Sequence, residues 1–140
     1  MTWPTSPHRF INPPDLLPGR GFAHVALPAA GRVVHVAGQT AHAADGTLRG
    51  TTMSAQTDAA LGNLVVALAA AEALPVHLVA MQLYVTDVAA YRAELGAIGH
   101  AWRAHLGTHY PAVSLLGVAE LFDPAALIEI VASAVVPPAR

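Results

Sequence analysis

The chain has 140 residues, enough for one domain (residues 1–140) with its own core. Only 11% of it is charged, against about 25% in an ordinary soluble domain. There is no cysteine and no lysine, all seven basic residues being arginine, which excludes disulfides, thiolate metal sites, cysteine nucleophiles and lysine Schiff bases.

Other classes fall away for related reasons. A formal charge of −2 without a basic cluster argues against a nucleic-acid partner. Mean hydropathy is positive (+0.48), yet the longest apolar runs are interrupted by Glu72, Pro75, His77 or Gln82, so no membrane span is expected. A chain with so few charges cannot cover itself as a monomer, and a large subunit interface is expected.

The N-terminal segment (residues 1–12, within MTWPTSPHRFINPPD) is proline-rich and lacks the apolar core of a signal peptide. A cytoplasmic protein is expected. GFAHVALP and GRVVHVAG are short β-prone runs separated by PAAG and read as a hairpin; Asp45-Gly46 marks a turn. A helix follows, capped by Thr51, Thr52 or Ser54, with Leu61, Leu64, Val65 and Leu68 on one stripe and Pro75 at its end.

LVAMQLYV alternates: Val79, Met81, Leu83 and Val85 share one face, Ala80, Gln82 and Tyr84 the other. Thr86 or Asp87 caps a second helix with the stripe Tyr91, Leu95, Ile98, Trp102 and a stop at Gly107. VSLLGVAEL and LIEIVASAVV are two more strands, and residues 137–140 a frayed tail. The order β-β-α-β-α-β-β suits an α+β fold, one sheet with both helices on one face. The second face is then uncovered, and its apolar residues call for another subunit.

One residue resists this scheme. Glu129 sits in a strand whose two faces are both apolar: Leu127, Val131 and Ser133 on its own side, Ile128, Ile130, Ala132 and Ala134 on the other. An unpaired buried carboxylate is costly. Either Glu129 lies on an edge in water, where it deters aggregation, or it lines a cleft and serves as a general acid or base. Eight histidines invite a metal, but His100 and His105 fall on different helix faces, Gly107 breaks the helix between His105 and His109, and no H-E-x-x-H occurs, so neither a metal site nor a cofactor is expected. Gly38, in AGQT after the second strand, either relieves sterics or lets a ligand approach the backbone.

The pieces INPPDL, VVHVAGQTAHAADGTLRG, MQLYVTD and YPAVSLLGVAELFDPAALIEI, in this order, resemble the reactive-intermediate deaminase (RidA or YjgF-type) family from about Ile11 to Val136. The resemblance implies a chorismate-mutase-like fold, a homotrimer with the sheets facing inward, and small-molecule ligands held in inter-subunit clefts. It implies cofactor-independent hydrolysis of enamines and imines, such as 2-iminobutanoate, to 2-keto acids and ammonia.

Carried over by position, the catalytic glutamate is Glu129. The cleft aromatic is Phe22, where tyrosine is usual; in the S-G-Q turn Gly38 and Gln39 match and Ala37 replaces serine. In the P-A-R-S segment, which grips a substrate carboxylate, Val113 replaces the arginine and Ser114 is kept. Valine offers neither charge nor donor for a carboxylate, although Arg20, Arg103 or a histidine from a neighbouring subunit could stand in. These differences point to an enzyme of altered specificity for uncharged or more apolar imines, enamines or related intermediates, acting by water addition or tautomerisation, rather than to a 2-imino acid deaminase. The alternative is a catalytically inactive trimeric binding or interaction module. Nuclease activity, sometimes attached to this family, sits poorly with the charge balance.

Overall fold

The computed structural model describes residues 2–139. Nine elements build an α+β domain: β1 (Arg9–Ile11), β2 (Val25–Leu27), β3 (Arg32–Gln39), α1 (Met53–Ala70), β4 (Leu78–Val85), α2 (Val88–Ala93), α3 (Leu95–Leu106), β5 (Ala112–Gly117) and β6 (Ile128–Val136), with a 3₁₀ turn at Pro75–His77. The main sheet runs β3-β6-β4-β5. It is mixed: β6 is antiparallel to both neighbours, while β4 and β5 are parallel. That parallel pair needs a crossover, and α2 and α3 supply it.

The helices lie on one face. Leu61, Leu64 and Leu68 of α1 and Leu106 of α3 are fully buried against Met81, Leu83, Ile128 and Ile130 of the sheet. The alternation expected in β4 holds, with Met81, Leu83 and Val85 inward and Ala80, Gln82 and Tyr84 half-buried on the helix-free face. α1 begins where expected: the Thr52 side chain accepts from Ala55 N–H at 3.2 Å. No described helix is long and apolar enough to cross a membrane.

Two expectations fail. The first hairpin does not form: β2 pairs with β1 in a separate two-stranded ladder, Phe10 opposite Ala26, and β3 pairs with β6 instead. The competitor is the proline-rich N-terminal segment. Its His8 accepts from Ala29 N–H at 3.0 Å through Nδ1, which leaves Nε2–H to donate to Val135 O at 2.8 Å. The loop between β2 and β3 is thereby fastened to the end of β6.

The second helix is broken in two, so the domain has three helices rather than two. Glu94 ends α2 and opens α3 with φ −111° and ψ 21°. Its carboxylate accepts from Ser54 Oγ at 2.6 Å, at the start of α1, where a negative group suits the helix dipole. The break throws Leu95 off the apolar stripe, and it is 54% exposed. The two C-terminal strands flank β4, which lies between them. Of the tail, residues 137–139 carry no regular structure, and Arg140 lies outside the described residues.

Candidate functional site

Glu129 is not buried in an apolar core. It is half-buried on the helix-free face, opposite Tyr84, and lines a hollow of about 510 Å³ with Thr40, His42, Phe122, Asp123 and Pro124. The three ion pairs among the described residues are Arg32–Glu72, His42–Asp123 and His105–Asp58; none involves Glu129. The strand tolerates its carboxylate because that carboxylate has an open hollow before it.

The backbone makes room for it. The β3–β6 register slips between Val36 and Gln39, so Ala37 and Gly38 form an irregular step in the strand. A Cβ built on Gly38 would stand 2.5 Å from Glu129 Cδ and 2.7 Å from Cγ. Gly38 is glycine because the Glu129 side chain occupies the space that any other residue would fill. Gln39 folds back, its Nε2 donating to Ala37 O at 3.0 Å, and Ala37 is exposed beside it.

The remaining expected site residues lie elsewhere. Val113 is paired with the fully buried Met81, on the helix side of the sheet. It lines a second hollow of about 480 Å³, walled by Phe22, Tyr91, Trp102, Tyr110 and Leu115, with Arg20 its charged member. Trp102 and Tyr110 stack at 5.9 Å, and Trp102 Nε1–H donates to His109 O at 3.0 Å. Burial pushes the Tyr91 phenol above its ordinary pKa. Ser114 points to the opposite face, beside Gln82, and shares a shallower depression with Phe22, His24 and Val113.

One chain thus holds two groups of the predicted residues without joining them. Glu129 and Gly38 belong to one; Phe22 and Val113 belong to the other. Strand β4 lies between their strands, and Glu129 and Val113 face opposite sides of the sheet. Of the two arginines offered as stand-ins, Arg20 reaches Val113's hollow and Arg103 does not line it.

The sequence reading missed Thr40, His42 and Asp123. The signal available was a T-x-H at a strand end, but the carboxylate that completes it is 81 residues away. His42 Nε2 lies 2.8 Å from Asp123 Oδ2, and His42 Nδ1 lies 2.6 Å from Thr40 Oγ1. The Ala125 N–H, and after it His42, hold the Asp123 carboxyl below its ordinary pKa. No group of described histidines and carboxylates could hold a metal ion.

Comparison with known proteins agrees with this fold. The family model described as endoribonuclease L-PSP matches residues 17–136. The chain belongs to that family, which is the YjgF/RidA family its motifs resemble. Among solved structures, YyfB of the Rid family from Yersinia pestis, a protein of unknown function, is 37% identical with a TM-score of 0.83, covering 92% of this chain and 98% of its own. Rv2704 of Mycobacterium tuberculosis, of the YjgF/YER057c/UK114 family, is 30% identical with a TM-score of 0.61, covering 83% and 87%. RidA from an Antarctic Psychrobacter, at 21% identity and TM-score 0.65 over 82% and 88%, shares the fold. A search of curated proteins finds no match.

Proposed function

We propose that this protein is a small-molecule enzyme that adds water to a reactive imine, enamine or related unsaturated intermediate, with Glu129 orienting the water and facing the positive charge of a protonated imine. The observation that carries this reading is the Glu129 carboxylate, set in an open hollow beside a strand irregularity where Gly38 leaves free the space its side chain occupies. A carboxylate so placed can hold a water by hydrogen bond and stabilise a cation without a cofactor.

The assembly proposed is a homotrimer, with each ligand in a cleft between neighbours. Its support is the helix-free sheet face, where Val33 is 60% exposed and Leu116 46%, together with the scarcity of charge. In such a cleft the Phe22–Val113 group of one subunit meets the Glu129 hollow of the next. The apolar lining around Val113 favours a substrate that is uncharged there, since a carboxylate facing valine is left unpaired.

The test is hydrolysis of imines generated in situ, 2-iminobutanoate and an imine of an uncharged amine, by wild type and Glu129→Gln, with mass and shape followed by light scattering. The expected result is Glu129-dependent release of ammonia, faster for the uncharged imine, from a trimer that both proteins form. Equal turnover by the variant overturns the assignment of Glu129. Absence of turnover with both imines, together with a cleft ligand recovered unchanged, supports the binding module instead.

A further inference from the structure

We propose that Thr40, His42 and Asp123 form a proton relay that opens onto the Glu129 hollow, with the Thr40 hydroxyl as the group that meets the substrate water. For the reaction it serves, the proposal rests on the water addition proposed above.

The geometry fixes the direction of the relay. Asp123 is ionised, so the His42 nitrogen 2.8 Å from it must be the N–H donor. The other nitrogen is then a bare acceptor, and the Thr40 Oγ1–H donates to it at 2.6 Å. A hydroxyl hydrogen-bonded to a base that a carboxylate orients is the arrangement that activates oxygen in many hydrolases. All three residues line the same hollow as Glu129.

Both ends of the relay are held from behind. Asn63 Nδ2 donates to Thr40 O at 2.8 Å and to His42 O at 2.9 Å. Arg49 donates to Ala41 O and His42 O, and its Nη2 also donates to Asn63 Oδ1 at 2.7 Å. Asp123 spends its second oxygen on Ala125 N–H at 2.9 Å. A side-chain lattice that only held the loop would need none of the Thr40–His42–Asp123 contacts, because the backbone is already tied.

In the proposed step, the oxygen of a water held by Glu129 forms a bond to the carbon of a protonated imine, and the C=N π pair moves onto nitrogen. The water gives one proton to Thr40 Oγ1 as the threonine's own proton passes to His42 Nδ1. The imidazolium is stabilised by Asp123. The relay then returns that proton to nitrogen. As the C–N bond breaks and C=O forms, the hydroxyl proton follows the same path and is taken up by the departing ammonia. Protonated imine and water become carbonyl compound and ammonium. Thr40 is the catalytic residue here; His42 accepts the proton through it, and Asp123 is a positioning residue.

The experiment compares full-length wild type, Thr40→Val, Thr40→Ser, His42→Gln and Asp123→Asn across pH 5–9, on the two imines above and on 4-nitrophenyl acetate, a generic electrophile for activated water. Thr40→Val and His42→Gln are expected to lose about 10²–10⁴-fold in kcat, with KM little changed and circular dichroism unaltered. Thr40→Ser restores the rate. Asp123→Asn is expected to lower kcat with KM little changed, a split that a merely structural role would not give. Imine turnover that needs Glu129 but is untouched in Thr40→Val and His42→Gln overturns the relay and leaves the proposed function standing. Imines untouched by wild type, with ester hydrolysis that depends on Thr40 and His42, overturns the proposed substrate class and leaves the relay standing. Neither activity depending on Thr40 or His42 overturns the relay.

Discussion

The two hollows are close in volume and both have apolar walls, Phe122 and Pro124 in the first, but they differ in their polar groups. Around Glu129 the lining is a carboxylate, an imidazole–carboxylate pair and a hydroxyl, on a strand end tied down by Asn63 and Arg49. Around Val113 it is mostly aromatic and aliphatic, with Arg20 its charged member and Trp102 Nε1 engaged by His109 O. The first can move protons and the second can sort shapes. The two sets of side chains are separated by strand β4 within one chain, and the homotrimer proposed above is the arrangement that would join them.

That division can be broken at either end. Glu129→Gln removes charge from the first hollow alone, and a loss of about 10²–10⁴-fold in kcat is expected, the range of acid–base contributions. Trp102→Ala empties the wall of the second. A cost of about 3–5 kcal/mol in a denaturant titration is expected for a buried tryptophan, with substrate preference lost before Glu129 chemistry. Val113→Arg should raise kcat/KM for 2-iminobutanoate about 10–100-fold relative to the uncharged imine, by supplying a paired donor for its carboxylate. If preference does not move, Val113 does not face the substrate.

Gly38→Ala sharpens the comparison more gently. The new Cβ displaces the Glu129 carboxylate, and a loss of about tenfold in kcat is expected with a stability cost of about 1–3 kcal/mol, the usual price of overpacking. The smallest effect is a pH dependence that belongs to neither hollow. Burial, the leading cause for each, holds the His77 and His109 imidazoles below their ordinary pKa of 6.5. The folded state therefore binds fewer protons than the unfolded chain between those depressed values and 6.5. Stability is complete above that window and falls as pH drops through it, which thermal melts from pH 7.5 to 5 will read. His109→Gln should flatten part of that slope.

Much of this was legible in the residues themselves. The alternation of LVAMQLYV and of IEIVASAVV fixed which side chains share a face, and Glu129 sits with Val131 and Ser133 as expected. The start of α1 was legible to within three cap candidates, of which Thr52 is the one that caps. What local pattern cannot carry is pairing. Nothing within FAHVAL says that RFI, rather than VVHV, will lie beside it; His8 decides that by reaching Val135. Nothing in YRAELG shows that Glu94 is wanted by Ser54, 40 residues earlier. His42 read as one of eight histidines because its partner Asp123 is distant in sequence and adjacent only in space.

The sheet order also sets a schedule for the protein's birth. β6, the last strand made, is the one that joins β3 to β4. While a ribosome still covers residues 128–136, the first half of the sheet has nothing to pair with, and the β4–β5 crossover must wait beside an open edge. The long sequence separation of these contacts predicts slow folding. The strand that closes the sheet is also the one that brings Glu129 to its hollow.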